Sequence, residues 1–384
     1  MYDRENAPVI WVNFLVLGLT FLAAITIVPV YGFAVGYDGL EWSVFLVMLA
    51  ITGFSITVGY HRLWSHRAFK AHPAVRLFLA VFGAAALQNS ILNWSADHRN
   101  HHKYVDDKKR DPYAATRGFW FSHIGWIIRD YKSGSRNFDH IKDLARDPIC
   151  QFQHRFYIPL AILVNAGLPL AIGYWHGKLW GTFLLAGILR IVLNHHFTFF
   201  INSLAHIWGT RPYSTKDTSR DNPLLALVTY GEGYHNFHHS FQYDYRNGIK
   251  WYAYDPGKWI IHTLERLGLA TELRRAPRLA IQKARLETQR AQAISHLNSN
   301  PALEHLRHSL EDAYKNAVTA LEAWNQSRIA WMDQKQILLR EKSRSIKGEL
   351  DQFKIRYRDL KRSCRTAMDH WQQTHASLLN AAVA

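Results

Sequence analysis

Four stretches of this chain are apolar enough and long enough to cross a lipid bilayer, which takes ~20 mostly apolar residues. They run over about Val9–Phe33, Trp42–Tyr60, Phe156–Tyr174 and Leu179–Ile201. A segment in hydrocarbon must satisfy its own backbone groups, so the stretches predict helices and an all-α integral membrane protein. The first is too long for a signal-peptide core and shows no convincing cleavage site, so it reads as a retained span. The connection between spans one and two, YGFAVGYDGLE, has no Lys or Arg, and WHGK between spans three and four has one. Arg62, Arg67 and Lys70 follow span two, and a second large polar region follows span four. The positive-inside tendency then puts both termini and both polar regions in the cytoplasm.

Charge supports the same picture. The 384 residues carry a formal net charge of +16, which suits cytoplasmic loops beside anionic lipid. No nucleic-acid motif accompanies it. Cys150 and Cys364 are the only cysteines, so there is no disulfide framework and no cysteine-rich metal site. From about residue 274 to 384 the composition turns to Gln, Arg, Lys, Glu, Ala and Leu, with a break at Asn298–Ser299–Asn300–Pro301. That basic tail predicts two or three helices, as a hairpin or coiled coil, after a membrane domain over residues 1–273.

Histidine is the abundant metal-capable residue, with 22 copies. HRLWSH gives His61 and His66, HRNHH gives His98, His101 and His102, and HNFHH gives His235, His238 and His239. His206 lies in NSLAH, just past span four. Spacings of three and four place residues on one helix face. Neutral imidazole ligates iron, zinc and copper, and so many in one place suit two metals better than one. All the boxes must then share one side of the membrane. The stretch Leu77–Leu92, with Gln88 and Asn89 inside it, therefore reads as a shallow interfacial helix; a fifth span would separate the boxes. His195 and His196, inside span four, read as packing or solvation residues.

At these boxes the chain resembles the membrane-bound acyl-CoA desaturases of the stearoyl-CoA type. The resemblance rests on GYHRLWSHRAFKAHP, NWSADHRNHHKYVDDKKRDPYAATRGFWFSHIGW, INSLAH and GEGYHNFHHSFQYDYRNGIKWYAYDPGKW, and covers roughly residues 10 to 270. It implies four spans under a cytoplasmic helical cap that holds two iron ions. By the match, His61, His66, His98, His101, His102, His206, His235, His238 and His239 are the ligands, and Asn202 approaches one metal through water. Gln88 and Thr198 match residues at the bend of an acyl tunnel. Phe199 stands where the family usually has Trp, a change that bears on tunnel shape. Arg129, Lys132 and Arg136 fall near where the family contacts the CoA head group. Asp97, Asp106, Asp107 and Glu232 are carboxylates near the boxes, available to orient imidazoles.

The implied reaction is O2-dependent insertion of a cis double bond, at Δ9, into a fatty acyl-CoA or a lipid-bound acyl chain. No flavin or dinucleotide fingerprint is visible, so electrons are expected from a separate ferredoxin or rubredoxin with its reductase, or from a cytochrome b5-like protein. The lack of a fused haem domain and of endoplasmic-reticulum retention text points to a bacterial inner membrane. Two other readings share the histidines: a membrane di-iron hydroxylase of an alkane, sterol or fatty acid, and a zinc-binding membrane protein without enzymatic activity.

Overall fold

The computed structural model describes residues 7–131, 138–341 and 345–380. Among the described residues, four helices are long and apolar enough to cross a bilayer: Trp11–Ala34, Gly39–Ser65, Tyr157–His176 and Leu179–Ile207. Span one keeps Trp11, Val12, Leu19 and Phe33 more than half exposed, an apolar surface suited to lipid contact rather than water. Asp38 caps span two, accepting from the backbone N–H of Leu40 and Glu41, while the Glu41 carboxylate accepts from the Asp38 N–H. Asp38 also lies 2.7 Å from His176 Nε2 and 3.2 Å from Lys178 Nζ. The two short connections thus meet at one end of the bundle, which leaves the histidine boxes at the other.

The stretch expected to be an interfacial helix is not a fifth span, but it goes further into the protein than expected. Its helix, Pro73–Ala84, has 12 residues, a rise of about 18 Å against a hydrocarbon thickness of about 30 Å. Ala85 and Phe82 pack with Met48 of span two and Val164 of span three. Leu87 and Asn89 then take positive φ, and the chain reverses. Ser90 caps the next helix, Ile91–Tyr104, which carries HRNHH. A two-residue antiparallel ladder, Lys70–Ala71 with Ala270–Thr271, ties the chain after box one to the chain beyond the helix Pro256–Arg266.

The chain divides into two compact units. The first runs to Arg211 and resumes over Lys216–Arg275; the second takes Pro212–Thr215 and the chain from Ala276. In the second unit the helices are Arg278–Ser299, Arg307–Glu341 and Ser345–Asn380. The last two run antiparallel, with Tyr314 against Trp371 and Trp331 against Tyr357. Leu286, Leu297, Leu310, Leu321, Trp371 and Leu378 form the core between them.

Candidate metal centre and its cavity

The HRLWSH box lies inside the span-two helix, whose last part, Ser55–Ser65, is π-helical. There the His66 N–H reaches the His61 carbonyl at 3.1 Å. On an α-helix, residues five apart point about 140° away from each other. An i→i−5 ladder stacks them one turn apart, so HxxxxH becomes a same-face pair. Such ladders are rare and often mark functional sites. HRNHH and HNFHH use ordinary helical spacing on Ile91–Tyr104 and His235–Ser240. Gly233 lets HNFHH dock, because a Cβ there would stand 2.3 Å from the Ala226 nitrogen.

These elements bring all nine expected histidines together in two groups. One holds His61, His66, His98, His102 and His238, and the other His101, His206, His235 and His239; within a group the nearest ligand atoms lie within 4.8 Å of one another. In the first, His66 Nε2 is 2.8 Å from His98 Nε2, and His61 Nε2 is 3.0 Å from His238 Nε2. In the second, His235 Nε2 is 3.1 Å from both His206 Nε2 and His239 Nε2. The groups adjoin, with the His102 and His239 rings stacked at 4.4 Å.

The protons can be assigned from the groups behind each ring. Asp111 Oδ1 lies 2.9 Å from His101 Nδ1, and a carboxylate only accepts. His101 Nδ1 therefore carries the hydrogen, and in the neutral ring Nε2 is left as a bare lone pair. Glu232 Oε2, 3.2 Å from His61 Nδ1, imposes the same tautomer. The Thr218 hydroxyl donates to Asp106 at 2.7 Å and so accepts from His206 Nδ1 at 2.9 Å. Bare Nε2 lone pairs converging at about 3 Å repel one another unless a cation sits among them. This all-nitrogen donor set fits iron, and equally zinc or copper. Tyr113 adds a hydroxyl 3.1 Å from His98 Nδ1.

Burial, then the neighbouring imidazoles, holds His66, His98, His102, His235, His238 and His239 well below the ordinary value of 6.5. They are neutral near pH 7, the state a metal requires. Burial pushes the Glu232 carboxyl up, but His61 and Arg62 outweigh it and hold it at about 2. Arg62 is itself buried, bonded at 2.9 Å to Glu232, Asp255 and the Tyr245 carbonyl.

Of the four carboxylates singled out by position, Glu232 touches a box histidine and Asp106 acts through Thr218. Asp107 turns to the Arg110 side chain and the local backbone, and Asp97 lines the cavity. Asp111, Tyr113 and Thr218 were not foreseen. Only the aspartate in KKRDPY offered a signal, and it looked like one acidic residue among several.

A cavity of about 900 Å³ passes beside His61, His98 and His235. Gln88, Thr198, Phe199, Asn202 and Arg129 all line it. Gln88 Nε2 donates to Thr198 Oγ1 at 2.8 Å, and Trp94 Nε1 donates to Gln88 Oε1 at 3.3 Å, so a polar clasp crosses the wall. Arg129 Nη1 donates to the Ala7 carbonyl at 2.9 Å. Lys132 and Arg136 lie outside the described residues.

Residues 40–271 match the family described as fatty acid desaturase. The chain is 44% identical over 266 residues to acyl-CoA desaturase 1 of Saccharomyces cerevisiae, covering 67% of this chain and 52% of that protein. It therefore spans about half the length of that yeast relative. It is 39% identical over 291 residues to stearoyl-CoA desaturase 5 of Homo sapiens, covering 74% and 86% of the two chains. With the acyl-CoA Delta(11) desaturase of Spodoptera littoralis it shares 38% identity over 230 residues, 57% and 67% of the two.

Proposed function

Because the chain belongs to the fatty acid desaturase family, we propose that it is an O2-dependent fatty acyl desaturase, which places a cis double bond at Δ9 in a saturated acyl-CoA. The observation that carries this reading is one cavity walled by members of both histidine groups. His61, His66, His98, His102 and His238 would hold one iron ion, and His101, His206, His235 and His239 the other. Asn202, on the same cavity wall, would reach one of them through water. Bound iron supplies the reduction of O2 and the removal of hydrogen from an unactivated methylene, chemistry beyond any side chain here.

The protein's own task is position. The Gln88–Thr198 clasp crosses the cavity wall and would hold the chain bent, so that one pair of carbons faces the histidines. Holding reactants in place is a large part of such a rate. Asp111, Glu232 and Thr218 fix the histidine tautomers before any metal arrives. Arg129, which lines the cavity, would meet the acyl-CoA head group.

The balance is simple. The acyl chain gives up two hydrogen atoms, an outside donor gives two electrons and two protons are taken up, so that O2 leaves as two waters. A soluble ferredoxin or rubredoxin, or a cytochrome b5-like protein, would supply the electrons from the cytoplasm. The basic segments beside the boxes support a cytoplasmic position for that side of the bundle.

Lipid profiling of a host expressing the chain, beside one expressing His102→Ala, tests the reading. New double bonds with the first and none with the second are expected. Equal double-bond content would overturn it, and products heavier by one oxygen would mark a hydroxylase. The position of the new bond, read by mass spectrometry, separates Δ9 from the Δ11 named for the insect relative.

A further inference from the structure

Span four carries a guanidinium that the histidine centre does not use. Arg190 is fully buried and, among the described residues, has no carboxylate in ion-pair contact. Its Nε donates to the Ala186 carbonyl at 2.8 Å and its Nη1 to the Ala85 carbonyl at 2.9 Å. Its Nη2 donates to the side-chain oxygen of Asn165 on span three. A charged group inside a membrane span is expensive and is usually kept for a purpose.

Part of that purpose is visible. The helix Pro73–Ala84 ends inside the bundle, and its last carbonyls have no partner within the helix. Arg190 takes the Ala85 carbonyl, and His195 Nε2 takes that of Ala86 at 2.8 Å. These bonds anchor the turn that presents Gln88 to Thr198. They do not explain why Arg190 also grips Asn165, whose Nδ2 is buried with no hydrogen-bond partner among the described residues.

Asn165 lines the acyl cavity. The lining residues farthest from the box side are Leu17 on span one, Ile56 on span two, Ala166 beside Asn165 on span three and His195 on span four. Arg190 lies beyond that limit on span four, and Thr52 beyond it on span two.

We propose that Asn165, held by Arg190, is the floor of the acyl cavity and sets the longest chain it accepts. An apolar floor yields to a longer chain when a side chain changes rotamer. This floor yields only by parting hydrogen-bonded polar groups against hydrocarbon, and unpaired buried polar groups are costly. The stop is therefore sharp, and it is separate from the Gln88–Thr198 clasp that selects the reacting carbons. The proposal rests on the desaturase reading for the identity of the chain in the cavity.

The test uses the metal-loaded protein and saturated acyl-CoAs of graded length, with binding read by thermal stabilisation and double bonds read in the same samples with reductant. In the wild type, affinity rises with length and then stops. Asn165→Ala removes the floor amide and leaves the other Arg190 bonds in place. It is expected to move the stop to longer chains and to recover about tenfold in affinity for the first chain beyond it, with bond position unchanged. Asn165→Leu keeps a side chain of similar size but no amide, and is expected to blur the stop, so that affinity falls off gradually over the first longer chains. A structural role alone would weaken all lengths together, and a stop at the same length in both variants would overturn the proposal. The two readings fail separately: a moved stop without any double bond sinks the desaturase and keeps the floor, and double bonds with an unmoved stop do the reverse.

Discussion

In the first unit the largest fully buried side chains include Arg62, Arg190 and Tyr60; in the second they are Trp371, Leu286, Leu297 and Leu310. Each unit follows a different rule of stability. Among its described residues the C-terminal helical unit buries hydrocarbon and no charged side chain, so no single ion pair is expected to decide whether it folds. The membrane unit buries imidazoles, guanidinium and carboxylate, and each must meet a partner. Functional chemistry therefore sits where the interior is polar, and small changes there should have large effects.

The largest effect is expected at Arg62. Arg62→Met leaves Glu232 and Asp255 buried without their cation. Breaking a buried pair from one side costs about 3–5 kcal/mol. Thermal unfolding in detergent should show the loss, along with reduced metal content, because Glu232 also holds His61. A variant that unfolds like the wild type would put the Arg62 network on the same footing as an exposed ion pair.

Asp111→Ala comes next. It removes the acceptor that keeps His101 Nε2 bare and leaves every proposed ligand in place. Loss of such a supporting group typically costs about 10–100-fold in metal affinity or activity. Metal titration against a competing chelator reads this directly. A variant with wild-type affinity would show that the ring is oriented by something other than Asp111.

Acid should divide the two units more gently. The six depressed imidazoles have folded-state values below 6.5, the value they regain on unfolding. Below about pH 6.5 the unfolded chain binds protons that the folded chain refuses, so stability rises with pH through that range and falls as pH drops. Metal-free protein should lose stability in the membrane unit between about pH 6.5 and 5. Hydrogen exchange should show smaller changes in Arg307–Glu341, whose buried face is Leu310, Ala313, Ala317 and Leu321. Equal loss in both units would contradict this division.

Much of the membrane unit was legible because its signals are local. Apolar runs mark spans without reference to tertiary structure, and HRNHH or HNFHH converge through helical spacing alone. HRLWSH was harder, since a spacing of five matches no α-helical face and the π-ladder that aligns it depends on the surrounding bundle. The supports behind the rings were not legible. Asp111 differs from Asp107 only in what it meets after folding: one turns to His101, the other to Arg110. Thr218 lies 12 residues from His206 and is held by Asp106, 112 residues away. Arg190 was passed over in the middle of an apolar run, because nothing near it in sequence hints at Asn165 or at a helix ending inside the bundle.

The smallest effect is the other half of the first comparison. Arg290 and Glu311 in the C-terminal unit lie 2.8 Å apart, as close as Arg62 and Glu232 at 2.9 Å. The geometry is alike and the surroundings are not. The Arg290 and Glu311 side chains are 28% and 25% exposed, and those of Arg62 and Glu232 are 1% each. Water rescues either charge of the outer pair when its partner goes, and salt screens the pair throughout. Arg290→Met is expected to cost about 0.2–1 kcal/mol, read as increased hydrogen exchange in Arg278–Ser299 and Arg307–Glu341, with metal content and double-bond formation unchanged. If Arg290→Met destabilised its unit as much as Arg62→Met destabilises the membrane unit, burial would not be what sets the strength of these pairs, and the contrast between the two interiors would lose its physical basis.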